Sequence, residues 1–256
     1  MNGLIGHTGF VGSNLSSLAH FDRFYNTQNI DTICGQTFET LICAAPQAKK
    51  WWANQNPDED LALIQNLISK LKQVESRQFV LISSIDVFPR VQNVDETFDC
   101  GSAENHAYGR NRYYLEQFVI SQFRESFVIR LPALFGPGLK KNVIFDLLNE
   151  NEVEKINPDS RFQWYDITRL WGDVQRVIQS QIMLVMLATE PIQTSEISSR
   201  FFSNVKVGSA ATPQACYDVK TCYDDVLGGD RGYLLSKETV LEDIGRFVAE
   251  YRLNKG

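Results

Sequence analysis

Tyr108 and Arg112 stand four residues apart, in Tyr108-Gly-Arg-Asn-Arg112, within a stretch whose pattern predicts a helix over 108–122. That spacing puts both side chains on one helix face, about 6 Å apart along the axis. A cation so placed favours a phenolate and can lower a tyrosine pKa from its reference of about 10. A phenol tuned in this way can take up and return a proton. Ser84 closes the apolar run Phe79-Val-Leu-Ile-Ser-Ser84, and its hydroxyl could hold a carbonyl or hydroxyl group opposite such a phenol. Each piece also has an ordinary reading. Tyr/Arg neighbours are common on exposed helix faces, and strand-end serines often satisfy backbone groups.

A third cluster is Gly3-Leu-Ile-Gly-His-Thr-Gly-Phe-Val-Gly12. The apolar Leu4 and Ile5 read as a strand and 11–19 as a helix, so Gly6, Gly9 and Gly12 lie at a sharp strand-to-helix turn. Such a turn offers backbone N–H groups and the positive end of a helix dipole to an anion. Glycines there allow positive φ and the close approach of a pyrophosphate. The plain alternative is a glycine-rich turn without a ligand.

The elements that must position these residues follow a βα rhythm, the signature of a parallel sheet covered on both faces. Strands are predicted over 21–26, 40–45, 79–85, 127–131 and 182–188, and a closing helix over 238–251. Asn56 is placed to cap a helix that starts at Pro57. Asp58, Glu59 and Asp60 lie in its first turn, and Leu61, Ile64, Leu67, Ile68 and Leu71 form its buried stripe. The segments 137–165 and 200–235 lack this rhythm and read as an interleaved small lobe. The expected architecture is α/β: a Rossmann-like doubly wound parallel sheet over 1–136, with a small substrate lobe over 137–256. Strand 182–188 and its flanking helices return to the core.

A 256-residue chain with 43% hydrophobic residues can bury a substantial core. The net charge of −6 argues against nucleic-acid and anionic-membrane partners. No apolar run reaches membrane-span length. The five cysteines are irregularly spaced and the three histidines show no ligand pattern, which predicts reduced thiols and no metal. Cys43 reads as a small apolar core residue. The glycine turn occupies the place of a leader segment, and the expected location is the cytoplasm.

Taken together, Gly6-His-Thr-Gly-Phe-Val-Gly12, Cys43-Ala-Ala45, Leu81-Ile-Ser-Ser-Ile-Asp-Val-Phe88, Tyr108-Gly-Arg-Asn-Arg-Tyr-Tyr-Leu-Glu116 and Val128-Ile-Arg-Leu-Pro-Ala-Leu-Phe-Gly-Pro137 resemble the extended short-chain dehydrogenase/reductase family, of the NAD-dependent epimerase/dehydratase type. The resemblance covers the first half of the chain well and the second in outline. It implies a nucleotide-sugar epimerase, dehydratase or reductase in which Ser84 orients substrate and Tyr108 is the general acid/base. It also implies a nicotinamide dinucleotide held by Gly6, Gly9, Phe10, Val11, Gly12, Asn26, Thr27, Ala44, Ala45, Tyr108, Arg112, Leu131 and Ala133. Asp86 and Asn142 fall where related enzymes contact substrate. Lys140 and Lys141 beside Asn142 read more simply as a solvated pair. A homodimer through the helices around 61–71 and 108–122 is a further implication.

One position departs from the family. Its lysine four residues after the tyrosine, which binds the nicotinamide ribose and lowers the tyrosine pKa, is Arg112 here. Arginine keeps the charge but is longer and planar. Two readings therefore stand: an NAD(P)-dependent oxidoreductase or epimerase on a sugar-like hydroxyl, or a cofactor-binding regulator of the same fold with weakened or lost catalysis. The residues after the second strand, Asn26-Thr27-Gln28-Asn29, carry no carboxylate, and Arg23 is close by. This leans the cofactor toward NADP over NAD. The aromatics of 162–171 read mainly as packing, and Trp51-Trp52 as lining for a cleft mouth or a subunit contact.

Overall fold

The computed structural model describes residues 1–209 and 213–255 and resolves into two compact units. The first gathers Met1–Arg90, Glu96–Leu131 and Arg169–Met186. Its strands are β1 (Asn2–Ile5), β2 (Arg23–Tyr25), β3 (Thr37–Cys43), β4 (Glu75–Ser84), β5 (Ser126–Leu131) and β6 (Leu184–Met186). Its helices are α1 (Phe10–Leu18), α2 (Lys50–Gln55), α3 (Pro57–Leu71), α4 (Ala107–Gln122) and α5 (Leu170–Gln179). The six strands form one parallel sheet in the order β6-β5-β4-β3-β1-β2. The chain leaves β1 for β2 on one side and then crosses back to β3 on the other. The carboxyl ends of β1 and β3 therefore flank the switch point at which open α/β sheets form their ligand crevice.

Strand β5 is buried at every residue, as a strand covered on both faces must be. Two strands run longer than their apolar cores. Thr37 to Glu39 alternate exposed and buried and pair with the polar start of β4, Thr37 with Glu75 and Phe38 with Ser76. Arg77 there meets Glu39 at 2.5 Å across the strands. Strands β2 and β6 are shorter than predicted. β6 stops at Met186, whose N–H donates to Glu96 at 2.8 Å.

Asn56 occupies the N-cap position of α3, but its side chain makes no cap there. Its amide donates instead to the Trp52 carbonyl of α2 at 2.9 Å, so the expected side-chain cap is corrected. The α3 stripe of Ile64, Leu67, Ile68 and Leu71 is buried against the sheet with Leu81, Leu115 and Val128. Cys43 packs in the same core, and burial pushes its thiol up to about 12.

The second unit comprises Val91–Asp95, Pro132–Thr168 and Leu187–Gly256. It is built on short pairings: Ala133–Phe135 with Trp164–Asp166, Ile192–Gln193 with Arg161–Phe162, and Asp218–Val219 with Gln92–Val94. Buried Gln163, between Arg161–Phe162 and Trp164–Asp166, ties them to Asp218–Val219 and to Thr189. It donates to the carbonyls of Thr189 and Val219 and accepts from the Val219 N–H. Trp164 and Tyr165 are fully buried, in keeping with a packing role for that aromatic stretch. The helix Lys237–Lys255 closes the chain, and no described helix is long and apolar enough to cross a membrane. Within 200–235, residues 210–212 lie outside the described residues.

Candidate functional site

The three motif glycines do three different jobs. Gly6 takes φ +84°, and a Cβ there would lie 2.7 Å from the Ala44 carbonyl oxygen, so β1 turns tightly against the end of β3. At Gly12, a Cβ would fall 2.1 Å from the Gly6 carbonyl oxygen, so the first turn of α1 packs directly on the loop. Gly9 is the N-cap of α1 with extended backbone and no side-chain cap. A Cβ at Gly9 would meet only the Gly6 carbonyl, at 3.4 Å. The protein therefore leaves room above Gly9 that its own packing does not use. The N–H groups of Phe10, Val11 and Gly12 open the helix there, where the fold supplies no intrahelical acceptors. That cradle suits a pyrophosphate, and these residues fit a dinucleotide. At the end of β2, Asn26 and Asn29 close a local turn: Asn29 Oδ1 accepts from the Asn26 N–H and Asn26 Oδ1 from the Gln28 N–H, both at 2.8 Å.

Ser84 ends β4, paired with Leu131 of β5, and caps the tight turn Ile85–Val87 by accepting the Asp86 N–H at 3.1 Å. Tyr108 lies in the first turn of α4, nearly fully buried, and its hydroxyl is hydrogen-bonded to that of Ser84. The start of α4 is held by several local bonds. His106 is the N-cap, with Nδ1 accepting the Gly109 N–H at 3.0 Å. Asn54 of α2 accepts the Tyr108 N–H at 3.0 Å, and Asn105 donates to the Val87 carbonyl at 2.9 Å. The strand-end serine and the helical tyrosine are thus brought together, as their types and spacing predict.

Arg112 shares the helix face with Tyr108, and its guanidinium carbon sits 4.1 Å from the Tyr108 ring centre. Its nitrogens point elsewhere. Nη1 binds the buried carboxylate of Asp60 on α3, and Nη2 donates to the Gln47 carbonyl at 2.9 Å. Asn111 joins the same carboxylate at 2.9 Å. One turn further along α4, Glu116 pairs with Arg130 of β5 at 2.7 Å and accepts from Ser83 at 2.5 Å, wholly buried. Two interior ion pairs therefore fix α4, one to α3 and one to the sheet.

The charges around the phenol oppose one another. Burial pushes the Tyr108 pKa above its ordinary range; Arg112 pulls it down, Asp86 pushes it up, and the Ser84 hydrogen bond and Lys50 pull it down. The net direction is upward, so the phenol holds its proton through neutral pH. His106 is pushed the other way, to a lower pKa, by burial and then by the Lys50 charge.

Asp86, read from the sequence as a substrate contact, accepts an ion pair from Lys50 at 2.7 Å. Lys50 opens α2, a helix the sequence reading did not assign. Its signal was the Lys49-Lys50-Trp51-Trp52 run shortly after the carboxyl end of β3. Trp51 is exposed and Trp52 half-buried. Leu131 ends β5 in the first unit. Ala133 and Asn142 belong to the second, where Asn142 caps the helix Val143–Asn149 and donates to the Leu134 carbonyl at 2.8 Å.

The model of the NAD dependent epimerase/dehydratase family matches residues 20–189. The chain belongs to that family. No curated protein matches the chain in sequence. Several solved structures share the family fold. A dTDP-4-dehydrorhamnose reductase from Bacillus anthracis, in complex with NADP, is 18% identical with a TM-score of 0.74, covering 97% of each chain. The reductase of the same activity from Clostridium acetobutylicum is 15% identical, with a TM-score of 0.72 over 98% of this chain and 100% of its own. A UDP-N-acetylglucosamine 4-epimerase from Methanobrevibacter ruminantium, in complex with UDP-N-acetylmuramic acid, is 11% identical with a TM-score of 0.74. It covers 99% of this chain and 98% of its own. At these identities the likeness is one of fold.

Proposed function

We propose that the protein is an NAD(P)-dependent oxidoreductase or epimerase acting on a hydroxyl or carbonyl of a nucleotide-linked sugar. The observation that carries this reading is the hydrogen-bonded pair of Tyr108 and Ser84 at the carboxyl end of β4, in the same unit as the open cradle above Gly9. When bound, a nicotinamide supplies the acceptor or donor of a hydride. The chain's residues do the rest. Ser84 holds the substrate oxygen, and Tyr108 gives or takes its proton. Gly6, Gly9, Phe10, Val11 and Gly12 receive the pyrophosphate, with Ala44 and Ala45 at the neighbouring strand end. Asn26 and Thr27 stand where the adenosine ribose would be read. The absence of a carboxylate there, with Arg23 on β2, favours NADP. The names of the similar structures, two dTDP-sugar reductases and a UDP-sugar epimerase, support a nucleotide sugar as substrate class. Exposed Leu63 on α3 and Tyr114 on α4 support pairing of two copies through these helices.

The test is a melting-temperature panel with NAD, NADP and nucleotide sugars, followed by turnover of Tyr108→Phe. A ligand that binds the folded state raises the midpoint. Tyr108→Phe is expected to bind cofactor normally and to lose roughly 10²–10⁴-fold in kcat. An active Tyr108→Phe protein removes the mechanism. Cofactor binding without turnover on any sugar nucleotide favours a regulatory protein on this fold.

A further inference from the structure

The cation four residues after Tyr108 is tied down. Both terminal nitrogens of Arg112 are engaged, one by the Asp60 carboxylate and one by the Gln47 carbonyl, and the guanidinium lies against the face of the Tyr108 ring. The phenolic oxygen is at the edge of that ring, beside Ser84. A second cation is built into the same corner. Lys50 Nζ lies 2.7 Å from Asp86 Oδ1, and Asp86 donates its backbone N–H to Ser84 Oγ. The ion pair is therefore anchored on the turn that holds the serine.

Helix α2 is set in register with this corner. Asn54, one helical turn after Lys50, accepts the backbone N–H of Tyr108 itself. One face of α2 thus touches both partners of the hydrogen-bonded pair, Lys50 through the Ser84–Asp86 turn and Asn54 through the tyrosine backbone. The Lys50 side chain is 38% exposed and Asp86 19%, whereas Arg112 is 6% exposed. A lysine ammonium is a compact charge on a flexible stem with three donors, whereas the Arg112 guanidinium is forked and stacked on the ring.

We propose that Lys50, held by Asp86, is the solvent-facing cation that serves the Tyr108–Ser84 pair, and that Arg112 is the buried structural one. Lys50 is a positioning residue: it acts through the phenol, stabilising the charge left when Tyr108 gives up its proton. The inference rests on the reading of Tyr108 as the proton-transfer group. The charged and titratable groups facing the phenol are Lys50 from α2, Asp86 from the turn after β4 and Arg112 from α4, with the His106 ring centre 6.3 Å from that of Tyr108.

The test uses the full chain and three variants: Lys50→Met, Lys50→Arg and Asp86→Asn. The titration of Tyr108 is followed by NMR of isotope-labelled tyrosine, with its resonance assigned by Tyr108→Phe. Lys50→Met leaves the Asp86 charge uncompensated beside the phenol and is expected to shift the Tyr108 titration upward. Lys50→Arg is expected to restore it, and Asp86→Asn to move it downward. The alkaline limb of the pH profile of kcat/KM should move with the resonance. Superimposable Tyr108 titrations in wild type and Lys50→Met overturn the proposal. If the titrations shift but the wild type turns over no sugar nucleotide, the proposed function fails and the charge coupling stands. Turnover with an unshifted phenol has the opposite meaning.

Discussion

The guanidinium carbon of Arg112 lies 4.1 Å from the centre of the Tyr108 ring, while its Nη1 binds the carboxylate of Asp60 on the neighbouring helix. One side chain thus supports the candidate catalytic tyrosine from behind and closes a buried charge on α3. Asp60 lies in the first turn of α3, where a negative charge favours the helix dipole. In the fold it is also nearly inaccessible, and its charge is balanced within the protein.

Arg112 variants should therefore fail first in stability. Arg112→Met leaves the Asp60 carboxylate buried with the Asn111 amide but without its counter-charge, which costs about 3–5 kcal/mol. Arg112→Lys keeps the charge but cannot reach both Asp60 and the Gln47 carbonyl, and should cost about 1–3 kcal/mol. The double variant Asp60→Leu/Arg112→Met should recover most of the single loss. Urea unfolding of the four proteins measures all three quantities. A fully stable Arg112→Met would contradict the structural role.

His106 gives the start of α4 a pH dependence. Its Nδ1 accepts the Gly109 N–H, and burial and the Lys50 charge hold its pKa below the ordinary value. A histidine depressed in the folded state binds its proton more readily when unfolded. Its contribution is present above the unfolded pKa of about 6.5 and is lost as pH falls through the lower folded value. His106→Asn supplies an uncharged cap oxygen for the same N–H. Between pH 7 and 5 the wild-type melting midpoint should fall by roughly 2–4 °C more than that of the variant. Parallel curves would show that His106 does not titrate in this role.

The parallel sheet was legible because its central strands are continuous apolar runs and its helices carry striped faces. Polar extensions such as 37–39 and 75–78 were not, since only the partner strand makes sense of an Arg77–Glu39 pair. The Tyr108–Ser84 meeting could be read from types and order. The destination of Arg112 could not. An arginine in place of a lysine shows that charge is kept, but Asp60 lies 52 residues away and became a partner only through α3–α4 packing. Lys50 escaped for the same reason: a six-residue helix offers too short a period to place a side chain.

Ser84 binds the phenol and also receives the Asp86 N–H. Ser84→Ala removes a hydrogen bond that favours the ionised phenol and a donor for the substrate oxygen. It should lower kcat/KM by roughly 10²-fold or more and move the alkaline limb upward. Cofactor affinity, read by fluorescence titration, should stay within about threefold, a change of under 1 kcal/mol. An unmoved alkaline limb would detach the serine from the tyrosine's ionisation.

The glycine turn allows the sharpest separation of folding from binding. At Gly12 a new Cβ would fall 2.1 Å from the Gly6 carbonyl oxygen, with no flexible side chain to yield. Gly12→Ala should therefore force α1 away from the turn and destabilise the protein by about 1–3 kcal/mol, as overpacking does. At Gly9 the backbone is extended and the nearest atom to a Cβ is 3.4 Å away, so a valine is accommodated by the protein itself. Its branched side chain would instead fill the room left for a pyrophosphate. Gly9→Val should melt within roughly 2–4 °C of wild type, the shift that about 1 kcal/mol produces at this size. Its affinity for both NAD and NADP should fall at least about 100-fold, a loss of some 2.7 kcal/mol. Measuring the melting midpoint and the cofactor affinity on the same samples decides the matter. A folded Gly9→Val protein that still binds cofactor as wild type does would remove the dinucleotide from this turn.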